Sequence, residues 1–210
     1  AEQASALDRH GWSYYTQDWY EEWYPGYTNA WANLLGAIGI LYEQAGVDSD
    51  GVKQATGKIL TYAEAVQHHV VSSFANLESL RKSRKEILRD YLADRRWLVD
   101  ATRSGGELFL IPPPADRDRL DHFAELLTRH GIEFAYSVQA FTANTVVDIW
   151  GQHSDQRSFP AGTLMIHAAQ PHRRLLRAIL EFDPHMSDAF LTEERTELEN
   201  RRDSRLYDVT

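Results

Sequence analysis

The chain has 210 residues, no cysteine, and a formal net charge of -9 with a pI near 5.4. The acidic balance argues against nucleic acid as the main partner, the missing thiol excludes disulfides and cysteine nucleophiles, and no apolar run approaches the ~20 residues of a membrane helix. With 43% hydrophobic and 25% charged residues, the composition is that of one or two packed domains.

Residues 1–11 are polar and read as peripheral. Residues 12–31 hold Trp12, Tyr14, Tyr15, Trp19, Tyr20, Trp23, Tyr24, Tyr27 and Trp31, with the turn Tyr24-Pro25-Gly26-Tyr27 among them. Aromatic rings with polar tips on a rigid turn make a good ligand wall, although any single ring also suits a core. The run from Gly36 to Ala45 is apolar, carries glycines, and ends in Glu43. It reads as a buried strand. A carboxylate at the end of such a strand is costly to bury unless it is paired or used; otherwise it emerges into solvent. Residues 47–59 read as a loop.

Thr61-Tyr62-Ala63-Glu64 is a capping box. Ala65, Val66, His69, Val70, Phe74 and Leu77 follow at helical spacing and predict a helix packed beside the strand of Glu43. The pattern continues to Leu98, with room for a break near residues 80–85. The opposite face, rich in Arg and Lys, is a solvated surface or a docking face for an acidic partner. Adjacent residues on a helix point about 100° apart, so His68 and His69 do not readily share one metal ion.

Thr102-Arg103-Ser104-Gly105-Gly106 marks a domain boundary, giving domains of 1–103 and 104–210. Beyond it, Leu108–Ile111 reads as a strand, Asp116–His130 as a helix with Gly131 past its end, and Ile132–Val138 as a second strand. This βαβ spacing predicts a parallel sheet. Residues 139–162 read as irregular, with 146–150 extended and a turn at Phe159-Pro160-Ala161-Gly162. Thr163–Ala168 is a further strand, and Pro171 opens a helix through Leu180. The fold class is α/β.

Two His-x-x-Glu spacings occur, His122 with Glu125 and His130 with Glu133. The first lies on a predicted amphipathic helix and the second spans a helix end and a strand, and no third ligand stands near either. Neither predicts a zinc site. No phosphate loop, Ser-x-x-Lys or Gly-x-Ser-x-Gly pattern appears.

The residues Trp23-Tyr24-Pro25-Gly26-Tyr27, Trp31, and Gly36-Ala37-Ile38-Gly39-Ile40-Leu41-Tyr42-Glu43-Gln44-Ala45 resemble the last part of the catalytic domain of zinc carboxypeptidases of the M14, carboxypeptidase A-like class. The likeness is nearest to the large secreted bacterial members. It covers roughly residues 10 to 100, and a weaker likeness to the tail domain of those proteins covers the rest. The resemblance implies the end of the carboxypeptidase sheet domain, with Glu43 as general base and either Tyr24 or Tyr27 capping a peptide substrate. Leu41, two residues before Glu43, would line the pocket for the substrate's terminal side chain. It also implies zinc as cofactor, with its ligands upstream of residue 1, so the metal ligands expected within this chain are none. The location implied is secreted or periplasmic. On this reading the chain is a C-terminal piece of a longer protein, inactive alone, with an incomplete tail. That tail is similar in outline to class I amidotransferase-like folds, whose nucleophile is a cysteine; this chain has none, so the tail is a support or binding module. The competing reading is a non-catalytic module for a peptide, glycan or protein, or a degenerate peptidase, in which Glu43 is structural.

Overall fold

A computed structural model describes residues 2–14, 26–42, 46–47, 50–100, 102, 105–182 and 187–200, with Glu197 described by its backbone alone. The fold is mixed α/β, with helices and small antiparallel sheets. The chain divides into two compact units: residues 1–20 with 38–93, and residues 21–37 with 94–210. No described helix is long and apolar enough to cross a membrane.

The first unit is built on one long helix. It also holds α1 (Glu2–Asp8) and a short pair of strands, β1 (Val52–Lys53) and β2 (Ile59–Leu60), of which all but Leu60 fall in the stretch expected to be loop. Helix α3 runs unbroken from Tyr62 to Leu98 and passes beyond the unit's last residue. The capping box forms as expected. The Thr61 amide donates to Glu64 Oε2 at 3.0 Å, and the Glu64 amide donates to Thr61 Oγ1 at 3.3 Å. No break occurs near residues 80–85, where Glu78 bridges to Arg81 at 2.7 Å and to Lys82 at 3.6 Å across one turn.

The apolar stripe of α3 behaves differently from expectation. Ala65, Ser72 and Ala75, all small, are the buried residues of its first half. Tyr62, Val66, Val70, Phe74 and Leu77 are exposed, Phe74 to 67%. At about 100° per residue these five fall within about 120° of arc, opposite the small residues. Segment 37–42 reaches the helix through Tyr42, whose hydroxyl donates to Asn76 Oδ1 at 2.8 Å. That residue lies nearer the small-residue side than the apolar arc.

The strand expected over 36–45 is not observed where the chain is described. Residues 37–42 have no regular structure, and 43–45 lie outside the described residues. A strand needs a ladder partner for its amides and carbonyls, and none is assigned to this segment. Gly36, with φ 93°, instead follows α2 (Thr28–Leu34) in the left-handed conformation that ends helices.

The second unit holds the main core. Its sheet has the order β3 (Leu108–Ile111), β7 (Leu164–His167), β4 (Ala135–Tyr136), with β7 antiparallel to both neighbours. The expected parallel pairing is therefore corrected. Strands β3 and β4 do run in the same direction, joined through α4 (Arg117–Arg129), but β7 inserts between them. The sequence spacing reports the crossover and the later strand at Thr163–Ala168, but not that β7 (Leu164–His167) inserts between β3 and β4 (Ala135–Tyr136). Leu120 and Leu127 of α4, Ile132, Leu164 and Ile166 of β7, and Leu175 and Leu176 of α5 (Arg173–Leu180) form the buried cluster. Leu34 and Leu35 pack on it, which is why residues 21–37 belong to this unit. Gly131, at φ 67°, closes α4 as expected, and the Ile132 amide donates back to the Leu127 carbonyl at 2.9 Å.

Residues 139–162 are not irregular. They form a hairpin of β5 (Phe141–Val147) and β6 (His153–Phe159), from the pair Phe141–Phe159 to the pair Val147–His153. Helix α6 (Asp188–Glu199) is capped by Ser187, whose side chain accepts from the Phe190 amide.

Candidate functional site

Of the residues implicated by the family resemblance, Glu43 and Tyr24 lie outside the described residues. Tyr27 is the N-cap residue of α2, with extended backbone (φ -65°, ψ 141°) and a side chain 42% exposed. Leu41 is 43% exposed in the irregular segment that leads into Glu43. Tyr27 belongs to the second unit and Leu41 to the first. The apolar residues ahead of Glu43 stay open too: Ile38 is 68% exposed and Ile40 is 47% exposed.

The aromatic segment contributes in both units. In the second, the Trp31 indole donates to His130 Nδ1 at 3.2 Å. This fixes His130 at the C-terminus of α4, with the Trp31-bound nitrogen as acceptor. In the first, Trp12 stacks on His10 at 4.3 Å and lies 4.1 Å from the His68 ring. Burial pushes the His68 pKa down from 6.5, against the opposing pull of Glu64 and with help from Lys58, His69 and His10. Among the described residues its buried Nε2 has no hydrogen-bond partner.

The two His-x-x-Glu spacings do different work. His122 and Glu125 are exposed on α4, where Glu125 pairs with Arg129 at 2.6 Å. Glu133 is held by its backbone: its amide donates to Gln170 Oε1 at 2.8 Å, and its carbonyl accepts from Gln170 Nε2 at 3.2 Å. Among the described residues no three of His, Asp and Glu come together as a group that could hold a metal ion.

A cavity of about 980 Å³ lies within the second unit, between β3, the β5–β6 hairpin and the end of α5. This is near the upper end of the ~300–1,000 Å³ typical of ligand sites. Its apolar wall includes Phe109, Phe159, Leu180 and Phe182, and Trp150, 79% exposed, also lines it. Its charged lining groups are Glu107, Asp148, Arg157, Arg177 and Glu181. Asp148 Oδ1 accepts from the Trp150 and Gln152 amides at 2.9 and 3.0 Å, holding the hairpin turn. Arg177 approaches Glu107 at 3.9 Å. Arg157 lies over the Phe159 ring at 5.9 Å, and among the described residues no carboxylate pairs with it. Sequence reading missed this site, since its walls come from residues spread between 105 and 182.

No protein-family model, curated protein or solved structure matches the chain. The functional reading therefore rests on the residues and their geometry.

Close to this cavity the backbone carries one unusual feature. Thr145 in β5 has φ 55°, a conformation that a β-branched residue seldom adopts. It falls between the ladder pairs Asn144–Gln156 and Val146–Ser154 and lines the cavity.

Proposed function

We propose that the first part of this chain is the closing portion of a zinc carboxypeptidase-like domain that hydrolyses C-terminal peptide bonds, with Glu43 as general base. The observation that carries this reading is the uncovered apolar surface of the first unit. Ile38, Ile40 and Leu41 lead directly into Glu43, and five large apolar residues of α3 form an exposed arc. Apolar patches of this kind mark surfaces that another body covers, here the remainder of such a domain. The residue pattern from Trp23 to Ala45 resembles that class of domain.

Among the described residues no three of His, Asp and Glu could hold zinc, and on this reading its donors lie outside them. The role left to this chain is proton transfer and substrate contact. Glu43 takes a proton from the attacking water and returns it to the leaving amine. Tyr24 or Tyr27 caps the peptide, and Leu41 lines the pocket for its last side chain. The chain by itself is inactive on this reading, and the longer protein is secreted or periplasmic.

The test is Glu43→Gln in the longer protein. Release of C-terminal amino acids falls by several orders of magnitude while bound zinc per chain stays unchanged. Retained turnover overturns the assignment.

A second reading is favoured by the cavity of the other unit. There the chain serves as a non-catalytic binding module, and Glu43 is structural.

A further inference from the structure

We infer that a second copy of this chain pairs with it along the outer edge of β6, antiparallel and centred on Gln156, so that two β5–β6 hairpins form one four-stranded sheet. The interface belongs to the tail of the chain and stands apart from any role of Glu43.

The free edge carries the first half of the inference. Strands β5 and β6 form a sheet of two, so β6 has a strand neighbour on one side only. A two-stranded hairpin is marginal by itself, and further strands stabilise it. His153 to Ser158 are all exposed, and among the described residues no group outside β5 bonds to their backbone. The hairpin turn shows which main-chain groups point outward. The Asp148 amide donates to the Gln152 carbonyl at 3.1 Å, which makes these two a hydrogen-bonded pair. Such pairs alternate along an antiparallel ladder. The even-numbered residues of β6 therefore bond to β5, while His153, Asp155 and Arg157 direct their amides and carbonyls to the outer edge. No proline or lysine lies within 153–159 to blunt that edge.

Charge selects the register and the partner. Asp155 and Arg157 are two residues apart and share one face of the strand. Within the hairpin Arg157 pairs with Ala143, and Asp155 falls opposite Thr145, so neither meets a charge across the ladder. In a symmetric antiparallel pair the two-fold axis must pass at a residue, because only then do outward-directed groups face one another. An axis at Asp155 or at Arg157 sets that residue against its own copy, like charge against like. An axis at Gln156 sets Asp155 against Arg157 on both sides of it and Ser154 against Ser158. It also pairs all seven residues of His153–Phe159, whereas axes farther along the strand shorten the pairing. An edge that complements itself in this way fits a second copy of the chain.

Sedimentation velocity of the intact chain reads the dimer. Seven paired residues make a small interface, so the expected dissociation constant is on the order of 10 µM. Asp155→Arg and Arg157→Asp, both at exposed positions, each set like charges opposite and weaken the dimer about tenfold or more. An equimolar mixture of the two variants recovers association as a heterodimer, and the double substitution in one chain, which keeps the net charge, recovers the homodimer. Neither a folding defect nor association through the exposed face of α3 predicts that recovery. The chain has no cysteine, so Gln156→Cys places a single thiol at the axis. Mild oxidation then gives a disulfide-linked dimer, because the two copies of this residue lie within bonding reach. Ser154→Cys stays uncrosslinked, since its two copies stand four residues apart along the strands, about 13 Å. A monomer at all concentrations up to about 100 µM, single reversals that leave the dimer unchanged, a mixture that fails to recover it, or equal cross-linking at 154 and 156 overturns the inference.

Discussion

Glu64 shows how one exposed side chain sets a long element. The hydrogen bonds from Thr61, with Lys58 beside it at 2.9 Å, hold its carboxyl down at about 2 from an ordinary 4.5. A carboxyl depressed in the folded state contributes stability that is present above its unfolded value and lost as pH falls through its folded value. The start of α3 therefore weakens between about pH 4.5 and 2. Replacing Thr61 with Ala costs about 1 kcal/mol in urea unfolding at pH 7, and Glu64→Gln flattens the acid limb of the stability curve. His68 works over a higher range. Burial against Trp12 depresses its pKa, so the unfolded chain takes up the proton first and stability falls as pH drops below 6.5. Its imidazole resonance should titrate below the ordinary midpoint. The stability slope between pH 6.5 and the lower folded value should shrink in His68→Gln; an unchanged slope would show that another group carries it.

At the level of elements, the sequence is most legible where a local rule decides the structure. The capping box at Thr61 and the glycine after His130 each fix a helix end by contacts within a few residues, and both appear as read. The hairpin β5–β6 was hidden because strand patterning shows when one face is buried. His153-Ser154-Asp155-Gln156-Arg157-Ser158 is exposed throughout, so it carries no apolar alternation to read. The pairing of β7 was hidden for another reason: its position between β3 and β4 is settled by the core under the sheet, not by any neighbour in sequence. The candidate site divides in the same way. Tyr27 and Leu41 were visible as residues, whereas the cavity exists only once 105–110, 143–150 and 177–182 are brought together. Thr145 offers a test of how firmly the hairpin is held. Its positive φ is strained for a β-branched side chain and natural for glycine. Thr145→Gly should therefore leave the ladder intact and raise stability by about 1 kcal/mol, read by chemical denaturation. A loss of stability would mean that the Thr145 side chain contributes more than its backbone costs.

Taken whole, the molecule holds two kinds of apolar surface. The second unit buries Leu127, Leu164, Ile166 and Leu176 completely. Truncating one of them, as in Leu127→Ala, should cost about 2–5 kcal/mol. The first unit does the reverse along α3, where alanines and a serine are buried and Phe74 and Leu77 stand 67% and 61% exposed. Selection for folding alone does not favour that arrangement, because it leaves the larger side chains in water and buries the smaller ones. The arc is explained if it is a surface to be covered, and this gives a prediction in which the same change has opposite effects in two settings. In the chain as purified, Phe74→Glu with Leu77→Glu should change unfolding free energy by no more than about 0.5 kcal/mol per site. It should also reduce self-association in sedimentation velocity and lower the binding of a hydrophobic dye. In the longer protein proposed above, the same pair would place two carboxylates in an interface, with each unpaired charge strongly unfavourable there. Its melting temperature should drop by many degrees and its soluble yield should fall. Equal tolerance in both settings would show that nothing covers α3, and would remove the observation on which the peptidase reading of this chain depends.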